Sequence, residues 1–180
     1  MHIHFLSQTR VIMVYKIIHA IDRFNIVISN IAMWFIILLV FVMLYETTAR
    51  YFFNSPTVWG TELSIMIFGA YIIFSGPYSI LEKVQVGVDI FSSRWKPRTR
   101  AFINCITYIF TFIFFYQMVR ISILYAIESY KLHEISPSAW GQPVYHWKTL
   151  IPIAAILILL QTISDFIRNA YMAITGEEIK

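Results

Sequence analysis

An all-α integral membrane protein with four transmembrane helices is the fold this sequence predicts, and three observations carry the prediction. Of 180 residues, 58% are hydrophobic and only 13% charged, where a soluble domain carries about 25% charged residues. Four stretches are free of Asp, Glu, Lys and Arg: Phe24–Tyr45 with 22 residues, Leu63–Leu81 with 19, Ala101–Val119 with 19, and Thr149–Ser164 with 16. About 20 apolar residues cross a hydrocarbon core roughly 30 Å thick. The third observation is that the runs do not alternate between apolar and polar, which argues against a membrane β-barrel.

The elements follow in order. Over residues 11–23 the sequence VIMVYKIIHAIDR puts Val11, Val14, Tyr15, Ile18 and Ile21 near one helical face, with Lys16, His19 and Arg23 mostly elsewhere. That pattern predicts an N-terminal amphipathic helix lying on the inner membrane surface. Spans are expected at about 24–48, 60–81, 101–127 and 149–168. The last is the shortest, and Trp147 and Lys148 suit its interfacial start. Pro152 falls in its first turn, where a missing N–H costs little. Asp165 and Arg168 stand three residues apart at its far end, spaced to pair at the interface. Gly76-Pro77 should kink the second span near its inner end. The connections are too short to hold a soluble domain, so residues 1–180 form one membrane domain.

The net charge of +4 describes topology rather than an affinity for nucleic acid. Arg10, Lys16, Arg23, Lys83, Arg94, Lys96, Arg98, Arg100, Arg168 and Lys180 fall on one side. Arg50, Arg120, Lys131 and Lys148 fall on the other. The positive-inside rule then places both termini and the 82–100 connection in the cytoplasm, an N-in/C-in arrangement. The stretch RYFFNSPTVWGTELS, residues 50–64, faces outward with the long third connection and its Trp140, Tyr145 and Trp147.

Enzyme chemistry finds little support. The one cysteine, Cys105, lies inside a span and has no partner for redox or zinc chemistry. A membrane haem needs axial ligands inside the bundle, whereas His2, His4, His19, His133 and His146 all lie outside the spans. No catalytic group, cofactor or metal is expected. Transporters that carry their own substrate site show broken helices or buried ion-binding groups near the midplane, and neither is visible. A self-contained four-helix exporter would want a carboxylate deep in its first span, but Glu46 falls at the outer end. An anchor for a redox enzyme remains as a further alternative.

What remains points to contact with a larger protein. Glu46 and Arg50 lie one turn apart in the favourable order for a helical pair. With Glu62 and Arg120, expected at a similar outer depth, they form a candidate polar contact cluster, and Trp59 and Trp140 are candidate contact aromatics. Asn30, Ser75, Asn104, Thr107, Thr111, Gln117 and Gln161 are uncharged polar residues within the spans. Such residues usually hydrogen-bond between helices, and Gly69 and Gly76 permit close approach.

Three ordered motifs then carry a family resemblance. ARYFFNSPTVWGTELS, with Arg50, Tyr51, Phe53, Pro56, Trp59, Glu62 and Leu63, resembles the segment after the first span in small permease subunits of TRAP transporters, the DctQ-like family. EKVQVGVDIF is similar to the segment after that family's second span through Val86, Val88 and Asp89. Gln85 departs from the usual histidine there. The stretch from Ser136 to Arg168 looks like the entry to the fourth span, with Trp140, Pro143, Pro152 and Leu160-Gln161 in place. The resemblance covers about residues 24–170. It implies a four-helix subunit of the bacterial inner membrane, bound to a large multi-span permease that holds the substrate and sodium sites. It also implies an extracytoplasmic solute-binding protein that delivers an organic acid. Glu46, Arg50, Trp59, Glu62, Arg120, Trp140 and Gln161 become the candidate partner contacts.

Overall fold

The computed structural model describes residues 2–82 and 97–176. Four of its helices are long and apolar enough to cross a membrane. They are α1 (His2–Tyr51), α2 (Gly60–Leu81), α3 (Pro97–Lys131) and α5 (Leu150–Thr175); α4 (Tyr145–Lys148) is a single turn. Among the described residues there is no strand, only an isolated bridge between Ile135 and Pro143. Most of the 82–100 connection, with Gln85, Val86, Val88 and Asp89, lies outside the described residues.

The separate surface helix expected over 11–23 does not form. That segment and the first span are one helix of 50 residues. The reason is local and tertiary at once. Neither Gly nor Pro occurs before Pro56, so nothing breaks the backbone ladder. From residue 15 onward, Ile18, Asp22, Asn25, Ser29, Ala32 and Glu46 are buried on one narrow stripe. Steps of four and three residues hold such a stripe against neighbouring helices. Of the residues that read as an amphipathic surface face, Ile18 begins an interhelical seam, while Tyr15 is exposed. The helix ends where Asn54 turns left-handed at φ 50°, a conformation Asn tolerates at helix ends. There the Ser55 N–H caps the Ala49 carbonyl at 3.0 Å.

α2 runs through Pro77, and the Ser29 hydroxyl donates to the Phe74 carbonyl at 3.1 Å close to that interruption. Gly76 provides the close approach, since an added Cβ would meet Ile158 at 3.2 Å, while Gly69 opens onto empty space. At the far end, α5 stops at Gly176, left-handed at φ 79°, whose N–H caps Met172 at 2.9 Å.

α5 is the centre of the bundle, packing against each of the other long helices, whereas α3 packs chiefly on α5. Composition explains the choice. Ala154, Ala155, Gln161, Thr162, Ser164 and Asp165 are all buried, and small or polar side chains let helix backbones approach where lipid offers no hydrophobic driving force. Large apolar residues instead point outward, among them Trp34 at 69%, Phe41 at 66% and Phe110 at 69% exposure. This is a membrane fold with a small, polar centre and a greasy exterior.

Candidate functional site

The end of the bundle at the α1–α2 connection is built around Glu46. Its Oε1 accepts from Arg50 Nη2 at 2.6 Å and Nε at 3.2 Å. Its Oε2 accepts from the Thr57 N–H at 3.2 Å and from the Thr57 hydroxyl. One carboxylate on α1 therefore holds the end of its own helix and the connection that follows. Thr57 passes the link on by accepting from the Gly60 N–H at 3.2 Å, at the start of α2. Trp59 stacks on Tyr45, ring centroids 5.6 Å apart. Beside this knot lies a shallow cleft of about 340 Å³, lined by Tyr45, Thr48, Ala49, Phe53, Ser55 and Thr57.

Glu62 belongs to a different structure. Its Oε1 accepts from the Ser136 hydroxyl at 3.0 Å, tying the first turn of α2 to the third connection. That connection folds on itself. The Ser136 N–H donates to Gln142 at 2.8 Å, and the Val144 N–H donates to Glu134 at 3.0 Å. The Gln142 amide reaches Met66 Sδ on α2. Trp140 sits half-buried in this fold, its backbone N–H donating to Ser138 Oγ at 3.2 Å. The second carboxylate oxygen of Glu62, Oε2, is buried without a partner.

Glu134 fastens the same connection, accepting from Lys148 and, at 2.7 Å, from the Ser129 hydroxyl. The Lys148 ammonium beside it, and then Ser129, hold its carboxyl below the ordinary carboxylate range. A depressed folded value contributes stability that is full above the ordinary value of about 4.3 and is lost as pH falls through the folded one. Protection against amide exchange over 132–148, taken relative to the intrinsic rate at each pH, is accordingly expected to be constant at neutral pH and to fall below about pH 4. Glu134→Gln should exchange quickly at every pH. Parallel pH profiles in the two proteins would refute this.

Arg120 does not join the cluster expected of it. Counting along the antiparallel pair from Asn104 Nδ2 on Asn169 Oδ1, 3.1 Å, Arg120 comes level with Ile153. The Gly76–Ile158 approach and the Ser29–Phe74 bond carry that level to Tyr71 on α2 and Ala32 on α1. At 1.5 Å per residue, Arg120 thus lies roughly 20 Å below Glu46 along the bundle. The expectation of equal depth fails because α5 begins well below the α1–α2 tip, with the third connection folded into the difference. The cluster of Glu46, Arg50, Glu62 and Arg120 resolves into two separate knots and an isolated arginine.

Gln161 lies at the centre of a network the sequence did not announce. It is fully buried. Its Oε1 accepts from Asn25 Nδ2 at 2.7 Å, and its Nε2 donates to Asp22 Oδ1 at 3.0 Å. Asp22 also accepts from the Ser164 hydroxyl at 3.1 Å and pairs with Arg168. Arg168 keeps the expected contact with Asp165, at 3.5 Å. Asn25 Oδ1 is left buried without a partner. The signal that could have found Asp22 and Asn25 was their place on the stripe with Ile18, Ser29 and Ala32. By contrast Thr107 and Thr111 donate to carbonyls of their own helix, at 3.2 and 3.1 Å. Of the three polar residues on that face of α3, Asn104 alone bridges to another helix among the described residues.

These arrangements hold helices and connections in place through ion pairs and amide bridges. Among the described residues no three His, Cys, Asp or Glu side chains come together as metal ligands. Comparison with known proteins gives a family. The chain matches the family model described as "Tripartite ATP-independent periplasmic transporters, DctQ component" over residues 27–171. No curated protein matches it.

Proposed function

The chain belongs to the DctQ component family of tripartite ATP-independent periplasmic transporters; from that premise we propose that it braces a large permease subunit and helps dock a solute-binding protein at its outer end. It is a multi-pass membrane protein and a transporter component, not an enzyme. On this reading it lies in the bacterial inner membrane, N-in/C-in, within a complex that takes up an organic acid with sodium. The substrate and ion sites belong to the large subunit. One observation supports the docking role above others. Two outward connections, distant in sequence, are tied to the start of α2 by Glu46–Thr57–Gly60 and by Glu62–Ser136. A surface that must meet a soluble partner reproducibly benefits from such rigidity.

Uptake by cells expressing the complete system tests this. Arg50→Ala or Glu62→Ala is expected to reduce uptake severalfold, with the large subunit still co-purifying if the defect lies in docking. Unchanged uptake and assembly in both variants would reduce Arg50 and Glu62 to interfacial anchors.

A further inference from the structure

The outward face of α3 has a composition that lipid alone does not suit. Phe110, Ile113, Gln117, Arg120 and Leu124 follow one another at steps of three and four residues, so they share a face of the helix. All five are exposed, Phe110 at 69%, Ile113 at 58% and Leu124 at 59%. The most apolar stretch of α3 holds no buried residue. Among the described residues, neither the Gln117 amide nor the Arg120 guanidinium has a hydrogen-bond or ion-pair partner. Both lie within the bundle's depth. By the register set out above, Arg120 is level with Ile153 on α5 and Ala32 on α1, in the middle of the first apolar run. Gln117 is one turn further in.

Polar groups left unpaired in hydrocarbon are costly. Several other polar groups of the bundle are paired within the chain: Asn25 and Gln161 with each other, Asn104 with Asn169, Asp22 with Arg168; Asn30, exposed on α1, has no such partner among the described residues. Arg120 could swing its head toward the outer interface along its apolar stem. Gln117 is shorter and deeper and has no such escape. The exposed face of α1 carries one amide, Asn30, beside the apolar Trp34, Phe41 and Leu44, but no charge from Phe24 to Tyr45, whereas the α3 face presents a guanidinium as well as an amide.

We infer that the α3 face centred on Gln117 and Arg120 is the seat of the large permease subunit, received by a transmembrane helix bearing a carboxylate opposite Arg120 and an amide or hydroxyl opposite Gln117. The inference rests on the proposed function above and adds to it which face makes the contact and through what chemistry. A charge pair and an amide bridge set inside an apolar seam fix register and orientation as well as affinity. A second copy of this chain fits less well, because the face offers Arg120 no carboxylate of its own at that depth.

The test co-expresses the chain with the large subunit of its own transport system. A photo-crosslinking amino acid is placed at Ile113 or Leu124 on α3, and at Trp34 or Phe41 on α1. Crosslinks to the large subunit are expected from the two α3 positions and not from the α1 positions. Arg120→Glu should lower recovery of the large subunit by about tenfold, with the chain itself still monodisperse, while Arg120→Lys retains most of it. Gln117→Leu should weaken recovery without altering expression. If the large subunit is retained but crosslinks arise only from α1, join two copies of this chain, or never arise from α3, the inference falls and the proposed function stands. Failure of the wild-type chain to hold the large subunit at all would overturn both.

Discussion

Asp22→Ala is expected to lower the stability of the purified chain by about 3 kcal/mol, more than any other single side-chain truncation in the bundle. Asp22 is 5% exposed and accepts from Gln161, Ser164 and Arg168. Interhelical hydrogen bonds in membranes average about 0.6 kcal/mol each, so the two neutral bonds alone would not produce the loss. The larger share comes from the arginine. Removing one partner of a buried ion pair costs roughly 3–5 kcal/mol. Partial exposure of the Arg168 side chain, 24%, and its remaining contact with Asp165 place the value at the low end. Thermal or SDS unfolding in detergent would read it, with Arg23→Ala as the exposed control. Equal losses in the two variants would show that the network contributes little to stability.

Gly60→Ala should destabilise by about 2 kcal/mol, in the range for forced overpacking, and should reduce uptake as Arg50→Ala does. A Cβ at Gly60 would stand 2.6 Å from both Glu46 Oε2 and Thr57 Oγ1. Either group can swing aside only by giving up the bonds that close the knot around Glu46. Gly69→Ala is the comparison, since a Cβ there meets nothing within 4 Å and should leave stability unchanged or raise it by up to about 1 kcal/mol. Gly60 is the first residue of α2 and Gly69 lies inside it, so helix propensity favours Ala at Gly69 and little at Gly60. Indistinguishable behaviour would remove the steric argument for Gly60.

The contrast between these residues shows where sequence reasoning reaches. The Glu46–Arg50 pair was legible because four residues of helix place the two groups side by side whatever surrounds them. The Asp165–Arg168 contact was legible for the same reason. Asp22 was not, because its partners lie 139 to 146 residues away. Its place on the stripe with Ile18 and Ser29 sets it apart from Arg23 beside it, but nothing local names its partners. Gln161 was singled out as a polar residue in a span, and its partners on α1 emerged only once the helices were packed. Gln117, alike in type and setting, turned out exposed and without a partner among the described residues.

By itself the sequence determined that the chain is helical, how many times it can cross a membrane, and which family it belongs to. Those properties follow from local chemistry. A backbone in lipid must satisfy its own hydrogen bonds, so apolar length decides the number of spans, and motif order carries the kinship. Only the structure showed that residues 11–23 and the first span form one unbroken helix. It also set the Asp22–Gln161–Arg168 network, the separation of the Glu46 and Glu62 knots, and the depth of Arg120. Each of these depends on how far one helix is shifted along another. That shift is set by contacts such as Asn104–Asn169, Gly76–Ile158 and Ser29–Phe74, and no single segment of sequence contains both sides of any of them.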